Sequence, residues 1–287
     1  MLTFSIVIPT YNEERHLPEC LEAVVGGSEQ PLEIIVADGM SSDKTVEIAR
    51  QFGAKVVNNS RRHAAGGRNA GIKAARGEVI VFLDADCIPD RDWLKEIHAA
   101  FVREKLDGVG TCIEPVQPAN IYEEFWGTLS LQIIMSYGKD PYYLKEKDLR
   151  SSFITASCAY RRDLLIKLKG FSNFFGNNAE DIDLCWRALD AGAVLKYVPE
   201  AKVKAHSPDT LQGIKKKSFR NGVSSTKLQK IHAKKRFSID VNLYKALFQN
   251  VVGIFRNERY AKLFVEEILS HLYGKYYESI KLKVINL

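Results

Sequence analysis

The sequence lacks a segment that could span a membrane. None of its apolar runs approaches the roughly 20 residues that a helix needs to cross a bilayer. The first residues, MLTFSIVIPT, have neither a basic leader nor a small-residue cleavage site, and they alternate as a strand does. We therefore expect no signal peptide, and a location in the cytoplasm or at the cytoplasmic face of the membrane.

Cysteine is scarce, and its spacing shows no pairing. The cysteines stand singly in mostly apolar surroundings, and no two of them form a CxxC pair. This pattern favours reduced, buried thiols over a disulfide framework or a cysteine-ligated metal site, and it gives little reason to expect a thiolate catalyst. The five residues are Cys20, Cys87, Cys112, Cys158 and Cys185.

Acidic residues are absent between residues 210 and 239, where nine lysines and arginines occur. The formal charge of +6 would become −3 without these nine, so the basic character of the chain is local. A local excess of one sign indicates an anionic partner, although charge runs are often only the solvated face of a helix. The nine are Lys215, Lys216, Lys217, Arg220, Lys227, Lys230, Lys234, Lys235 and Arg236.

The first half of the chain alternates short apolar runs with helical segments. Strands separated by helices of about ten residues are typical of βαβ units, and nearly continuous apolar strands are typical of a parallel sheet covered on both faces. The fold class is therefore α/β. The predicted strands are 4–9, 33–37, 55–58 and 79–83, and the predicted helices are 13–25, 43–52 and 63–75.

The second half alternates less regularly and ends in helices. We expect strands at 108–113, 152–160 and 193–198, and helices at 93–101, 121–137 and 179–191. From residue 211 onward only helices are predicted, with two apolar stripes that pack on the rest of the protein or contact a membrane. The stripes are Tyr244, Leu247, Phe248, Val251 and Phe255, and Phe264, Ile268, Leu272 and Tyr276.

Two carboxylates follow the most apolar strand directly. Residues 79–83 run into Asp84 and Asp86, whose side chains point the same way because residues two apart in an extended chain share a face. Ligands of an open parallel sheet bind beyond the carboxyl ends of its strands. Two neighbouring acids favour a divalent cation such as Mg²⁺ or Mn²⁺, whose shell substrate phosphates complete. The implied substrate is a nucleoside diphosphate derivative.

Four segments in order resemble the family 2 glycosyltransferases of the GT-A fold. They are SIVIPTYNEERHLPECL, ADGMSSDKT, GGRNAGIKAARGEVIVFLDAD and NAEDIDLCWRALDAG, and the resemblance spans residues 4–206. It implies a GT-A catalytic domain over residues 1–207, with a nucleotide-sugar half (1–110) and an acceptor half (111–207), followed by a basic helical region (208–287). It also implies transfer of a sugar from a nucleotide-sugar donor to an acceptor hydroxyl with inversion.

The resemblance assigns roles on the donor side. Asp38 would hydrogen-bond the base, most often uracil in this family, and Asp84 would contact the ribose. Asp86 would bind the metal that bridges the two phosphates. The predicted nucleotide-binding residues are Pro9, Tyr11, Glu13, Asp38, Arg68, Asp84 and Ala85.

On the acceptor side, Asp181 matches the position of the general base, and Glu180 beside it is the predicted acceptor-side residue. His206 matches a position of a further metal ligand or phosphate contact. The basic run beyond it, with Lys217 and Arg220 as candidates, would fold over the diphosphate or meet an anionic acceptor such as a lipid phosphate at a membrane surface.

The chain departs from some members of the family. The QxxRW segment of processive synthases is absent, which predicts the addition of one hexose per encounter. The transmembrane tail of many lipid-directed relatives is also missing, so a lipid-linked acceptor would meet a peripheral C-terminal region; a glycan acceptor fits equally well.

The sequence argues against three other functions. A sugar nucleotidyltransferase would need a glycine-rich basic loop after the first strand, where this chain has PTYNE. A nucleic-acid binder could use the basic segment. However, the only aromatic residues among its lysines and arginines are Phe219 and Phe237, so we expect no nucleic-acid partner. The intact acids argue against a relative that binds a nucleotide sugar without catalysis.

Overall fold

The computed structural model describes residues 2–137, 139–147, 152–233 and 258–282. The chain divides into two compact units. The first comprises Met1–Val116 and Ile133–His206, and the second comprises Gln117–Gln132 and Ser207–Leu287. The division falls between His206 and Ser207, one residue before the predicted boundary, and Gln117–Gln132 groups with the C-terminal helices. That residues 1–207 form the catalytic domain stays a prediction.

The first unit is built on a nine-stranded mixed sheet with the strand order β3-β2-β1-β4-β8-β6-β9-β5, and β7 pairs with β9. The strands are β1 (Phe4–Thr10), β2 (Glu33–Asp38), β3 (Lys55–Asn58), β4 (Val79–Leu83), β5 (Cys87–Pro89), β6 (Gly108–Pro115), β7 (Tyr142–Tyr143), β8 (Ser157–Arg161) and β9 (Leu195–Ala205). Strands β1 to β4 pair in parallel, as predicted. Beyond them β8 pairs antiparallel with both β4 and β6, which the alternation of the sequence did not predict.

Helices cover both faces of the sheet. They are α1 (Leu17–Val25), α2 (Thr45–Gln51), α3 (Ala64–Ala74), α4 (Trp93–Arg103), α6 (Arg162–Lys167) and α7 (Glu180–Asp190). A further helix, α5 (Ile121–Tyr137), is divided between the two units. On β1, Ile6 and Ile8 join the core cluster of α1 and α4, whereas Val7 faces α3. A Cβ on Gly71 would lie 2.2 Å from Val7 Cγ1, so only glycine lets α3 approach the strand this closely.

The predicted strand at 193–198 is longer in the structure. A register shift in β6 between Thr111 and Cys112 lets β9 continue past Pro199 to Ala205. The end of β9 then pairs with β5, a short strand that the sequence did not predict. This pairing brings the chain beyond β9 back to the end of β4.

The second unit contains the first part of α5, α8 (Leu211–Leu228) with a π-helical turn at Gln229–Ala233, and α9 (Glu258–Lys281). Its core joins Phe125 of α5, Ile214 of α8 and Phe264 of α9. Helices α8 and α9 cross closely, because a Cβ on Gly222 would lie 2.0 Å from the His271 backbone oxygen. None of the helices within the described ranges is long and apolar enough to cross a membrane.

The predicted apolar stripes have different outcomes. The stripe from Tyr244 to Phe255 lies outside the described residues. In the second stripe, Phe264 is buried and Ile268 packs against the same core, while Tyr276 is 47% exposed. The stripe therefore turns partly into the core of the second unit and partly to its surface.

Candidate active site

The loops at the carboxyl ends of β1, β2 and β3 share an uncommon backbone conformation. Asn12, Met40 and Arg62, one in each loop, have φ values of 55°, 64° and 54°. Ala179, directly before α7, has a φ of 65°. Left-handed conformations of residues other than glycine cost free energy and concentrate at functional sites. The sheet edge that the sequence indicated therefore has a strained residue in each of these three loops, and Lys169, beyond α6, is a further left-handed residue away from them.

Asp38 is held rigidly at the end of β2. Its carboxylate accepts hydrogen bonds from the Thr10 hydroxyl (3.1 Å), the Ser41 backbone N–H (2.9 Å) and the Ser41 hydroxyl (2.5 Å). Thr10 is its direct partner across the β1–β2 pair. Tyr11, in the next loop position, is 52% exposed, so its ring is open to a ligand. Pro9 is the last residue but one of β1 and packs against the first half of α3. A Cβ on Gly67 would lie 2.9 Å from the Pro9 Cβ.

Glu13 belongs electrostatically to the acid pair after β4. Burial raises the pKa of Glu13 to about 7, and the negative charges of Asp86, Asp84 and Asp43 add to the rise. Its backbone N–H donates to the Thr45 hydroxyl at 2.8 Å, which fixes the loop. The sequence grouped Glu13 with the nucleoside; the structure brings it towards Asp84 and Asp86.

Asp86 and His206 are neighbours through the pairing of β5 and β9. The His206 backbone N–H donates to the Asp86 backbone oxygen at 3.0 Å. The His206 ring lies 4.3 Å from the His16 ring, centre to centre, and its Nε2 is 3.2 Å from a Glu19 carboxylate oxygen. Within the described ranges, no three acidic, histidine or cysteine side chains form a ready metal site.

The residues present nevertheless fit a hard divalent cation. Glu13, Asp84 and Asp86 repel one another, which is visible in the raised pKa of Glu13, and a cation would relieve this repulsion. A carboxylate of Asp86 and an imidazole of His206 are suitable ligands for Mn²⁺, and substrate oxygens usually complete such a shell. Ala85 between the two acids is buried and offers only its backbone.

Arg68 joins Asp84 to Glu180. Its Nη2 donates to Asp84 Oδ1 at 2.7 Å and its Nη1 to Glu180 Oε1 at 2.5 Å. Arg68 is 3% exposed and Glu180 is 2% exposed. Although the sequence placed Arg68 at the nucleotide and Glu180 at the acceptor, each is buried against the other.

Asp181 opens the first turn of α7 with Glu180. Its Oδ1 accepts from its neighbour Ile182 N–H at 2.8 Å, and its Oδ2 accepts from Thr155 N–H at 3.3 Å. Burial raises the pKa of Asp181, and the nearby Arg68 guanidinium opposes this rise. A carboxylate of raised pKa is a better proton acceptor than an ordinary aspartate.

Lys217 and Arg220 lie on α8 of the second unit. Lys217 Nζ is 5.1 Å from the centre of the Trp126 ring, and Arg220 is exposed. Their predicted contact with the diphosphate stays a prediction.

Several residues that shape the site were not among the predicted site residues: Thr10, Ser41, Thr45 and Thr155. Ser41 carried a signal, because a serine three residues after an aspartate at a strand end commonly closes a turn on its carboxylate. Thr155 carried none, since its contact depends on a helix 26 residues further along the chain.

Comparison with known proteins identifies the family. Residues 5–169 match the sequence profile described as Glycosyl transferase family 2. The chain belongs to this family. This confirms the prediction from the four motifs, and the enzyme class is glycosyltransferase.

Curated relatives carry related names. Glycosyltransferase AglE of Haloferax volcanii is 28% identical over 231 residues, which cover 76% of this chain and 71% of AglE. A Methanococcus voltae protein named dolichyl N-acetyl-alpha-D-glucosaminyl phosphate 3-beta-D-2,3-diacetamido-2,3-dideoxy-beta-D-glucuronosyltransferase is 32% identical over 126 residues. That match covers 39% of each protein, so the chain spans less than half of this relative.

Solved structures confirm the GT-A fold. Mannosyltransferase PcManGT from Pyrobaculum calidifontis, in complex with GDP-Man and Mn²⁺, matches with a TM-score of 0.61 and 18% identity, covering 100% of this chain and 76% of PcManGT. Glucosyl-3-phosphoglycerate synthase from Mycobacterium tuberculosis, in complex with Mn²⁺, UDP and glucosyl-3-phosphoglycerate, matches with a TM-score of 0.57 and 20% identity. This match covers 80% of this chain and 79% of the synthase.

Proposed function

We propose that the protein is a metal-dependent, inverting glycosyltransferase that moves one hexose from a nucleoside diphosphate sugar, with UDP as the nucleotide, to an acceptor hydroxyl. The observation that carries this proposal is the gathering of Glu13, Asp84 and Asp86 at the strand ends, beside His206. These acids repel one another, and a divalent cation with a bound diphosphate would compensate them.

The donor would lie along the ends of β1, β2 and β4. Tyr11 offers an exposed ring to the base. The Asp38 carboxylate, which Thr10 and Ser41 hold at the end of β2, would accept a further hydrogen bond from an N–H group of the base. Pro9, Glu13, Asp84 and the Ala85 backbone line the same edge. Asp86 and His206 would hold the cation, which when bound supplies charge neutralisation for the departing diphosphate.

Asp181 is the proposed base. It would accept the proton of the acceptor hydroxyl as that oxygen attacks the anomeric carbon, while the bond from that carbon to the diphosphate oxygen breaks. A single displacement of this kind inverts the configuration, and it needs the base on the face opposite the leaving group. The Thr155 N–H orients the Asp181 carboxylate for this step.

The donor assignment can be tested by thermal unfolding with UDP, GDP, CDP and TDP, each with Mn²⁺ and with a chelator. A nucleotide present at 100 times its dissociation constant adds about 2.7 kcal/mol of stability. The synthase structure contains UDP and the PcManGT structure contains GDP-Man, so the comparison between UDP and GDP is the most informative part of this experiment. A stabilisation that is independent of Mn²⁺ would refute the metal assignment.

The product separates this proposal from its alternative. A glycosyltransferase releases a nucleoside diphosphate, whereas a sugar nucleotidyltransferase forms or consumes pyrophosphate. Release of pyrophosphate from a nucleoside triphosphate and a sugar phosphate would overturn the proposal.

We also propose that the second unit contacts an anionic membrane surface at the cytoplasmic face, where a lipid-linked acceptor would be met. One side of α9 exposes apolar and aromatic residues, and the Phe219 ring of α8 lies 5.5 Å from Tyr273 and 5.8 Å from Tyr277. Lys216 and Arg220, both exposed, lie one turn apart on α8 and close to Phe219 in the sequence. The exposed α9 residues are Val265, Leu269, Tyr273, Tyr276, Tyr277 and Ile280.

Tyrosine rings next to basic side chains are typical of surfaces that lie in the headgroup region of a bilayer. Co-sedimentation with vesicles tests this surface. We expect binding to vesicles that contain phosphatidylglycerol, weaker binding to neutral vesicles, and a decrease with salt. Tyr273→Ser should reduce binding, while Val102→Ser, which removes a residue 67% exposed on α4, should not. Equal losses in both variants would refute the assigned face.

A further inference from the structure

Arg68 is placed too deeply for an ordinary ligand-binding arginine. It lies in the middle of α3, 3% exposed, with its guanidinium carbon 5.7 Å from the centre of the Phe171 ring. Each of its terminal nitrogens already donates to a carboxylate, one on Asp84 and one on Glu180. Little of its surface is left for a nucleotide.

The two carboxylates that Arg68 joins come from distant parts of the chain. Asp84 follows β4, at the donor end of the sheet, and Glu180 begins α7. The residue between Glu180 and the preceding loop, Ala179, has the left-handed φ of 65°. Such a conformation persists only where the surrounding contacts hold it. The ion pair from Arg68 is one contact of this kind, because it fixes the residue that follows Ala179.

We propose that Arg68 is a positioning residue that holds Asp181 in place by anchoring Glu180 to Asp84, and that it is not a nucleotide ligand. The inference rests on the proposed role of Asp181 as the base. A buried carboxylate without a cation or hydrogen-bond donor is costly, so without Arg68 the Glu180 side chain would be protonated or leave its place. Asp181 is its immediate neighbour and would move with it.

Arg68 also sets the charge around Asp181. The groups that face this carboxylate are Arg68 from α3, Asp84 from the end of β4 and Glu180 from α7 itself, together with the neutral Cys158, Tyr160 and Cys185. Arg68 is the cation among them. Its loss should raise the pKa of Asp181, so the acid limb of the activity profile should move to higher pH.

The test compares Arg68→Met and Arg68→Lys with the wild-type chain. We measure kcat for transfer over a range of pH, and the dissociation constants of UDP and GDP, each with Mn²⁺, by calorimetry. Misplacing a catalytic group by about 1 Å costs roughly 100-fold, so kcat of Arg68→Met should fall by about that factor. Arg68→Lys keeps the charge and should recover part of the loss. Nucleotide dissociation constants should change by only a few fold.

Arg161→Met is the matched control. Arg161 also stacks on a ring, that of Phe101 at 5.5 Å, and its Nε donates to the Leu106 backbone oxygen, but it contacts none of the site carboxylates. It should leave kcat and its pH profile unchanged. Weaker UDP or GDP binding in Arg68→Met, with kcat retained at saturation, would overturn the inference, and so would unchanged values of both.

A second variant covers a failure of Arg68→Met to fold. Glu180→Gln keeps the hydrogen-bond acceptor and removes the charge, so kcat should fall in the same direction. Its effect combined with Arg68→Lys should be less than additive, because the two side chains act through one contact. Additive effects would refute the coupling. If the wild-type chain transfers no sugar, the proposed function fails instead, and the UDP and GDP affinities of Arg68→Lys still decide whether Arg68 is a nucleotide ligand.

Discussion

Glu13 and Asp86 differ from Glu180 and Asp181 in the cation that faces them. Within the described residues, no ion pair joins Glu13 or Asp86 to a lysine, arginine or histidine side chain. Glu180 is paired with a buried arginine of the same chain, which also faces Asp181. Within the described residues, the chain therefore pairs Glu180 with a cation of its own and pairs Glu13 and Asp86 with none. This difference fits the proposal that a divalent cation would join Glu13 and Asp86 when the donor binds.

The largest effect is expected at Asp86. Asp86→Asn removes the carboxylate proposed to hold the cation, and several kcal/mol of charge stabilisation corresponds to about a 1000-fold loss of rate or more. The stabilisation by nucleotide with Mn²⁺ should disappear from thermal unfolding. Asp90→Asn, four residues further and exposed, is the control. Mn²⁺-dependent nucleotide binding by Asp86→Asn would contradict the proposal that Asp86 holds the cation.

Asp181→Asn should reduce transfer by about 10² to 10⁴, because a general base contributes this much, while nucleotide binding stays nearly intact. Single-turnover transfer and calorimetry with UDP and Mn²⁺ separate the two quantities. Asp163→Asn, on the exposed side of α6, should change neither. Near-normal turnover of Asp181→Asn would show that the base lies elsewhere.

Glu13 gives a smaller effect, on stability. Its pKa is about 7 in the folded protein and near 4.5 in the unfolded chain. Between these values the folded protein keeps the proton that the unfolded chain has lost, so the free energy of unfolding falls as the pH rises from 4.5 to 7. Glu13→Gln should remove this fall and stabilise the metal-free protein at pH 8 by on the order of 1 kcal/mol. Urea unfolding with a chelator at both ends of this range measures it, and a variant with an unchanged pH dependence would contradict the repulsion.

A further effect on stability, similar in size to that of Glu13, concerns Glu267 and His271, which lie one turn apart on α9. Burial raises the pKa of Glu267 to about 7, while burial and Lys275 lower that of His271 to about 4. As the pH falls, Glu267 adds to the free energy of unfolding and His271 subtracts from it, so the two oppose each other. Glu267→Gln should therefore lose stability relative to wild type as the pH falls from 7 towards 4.5, by about 1 to 2 kcal/mol. Urea unfolding of both proteins at several pH values measures this change. A constant difference in the free energy of unfolding at all pH values would show that burial does not raise the pKa of Glu267.

The sequence predicted most of the first half of the fold. Strands β1 to β4 and the helices between them follow from apolar runs and their spacing, which depend on neighbours along the chain. A strand at 152–160 was predicted, and β8 lies at Ser157–Arg161. Its antiparallel pairing between β4 and β6 was not predicted, because the hydrophobic period of a single segment does not say which strands are its neighbours in the sheet. The short strand β5 was missed because three residues carry no periodicity.

For the site, the sequence by itself determined which residues stand at the ends of the strands. Asp38, Asp84 and Asp86 follow apolar strands directly, and parallel strands deliver such residues to one edge. Only the tertiary structure decided what each of them touches. Arg68 meets Asp84 and Glu180 from 16 and 112 residues away, and His206 reaches Asp86 only because β9 runs on past its register shift to pair with β5. Local patterns encode strand and helix, whereas contacts between distant charges depend on the order in which the strands assemble.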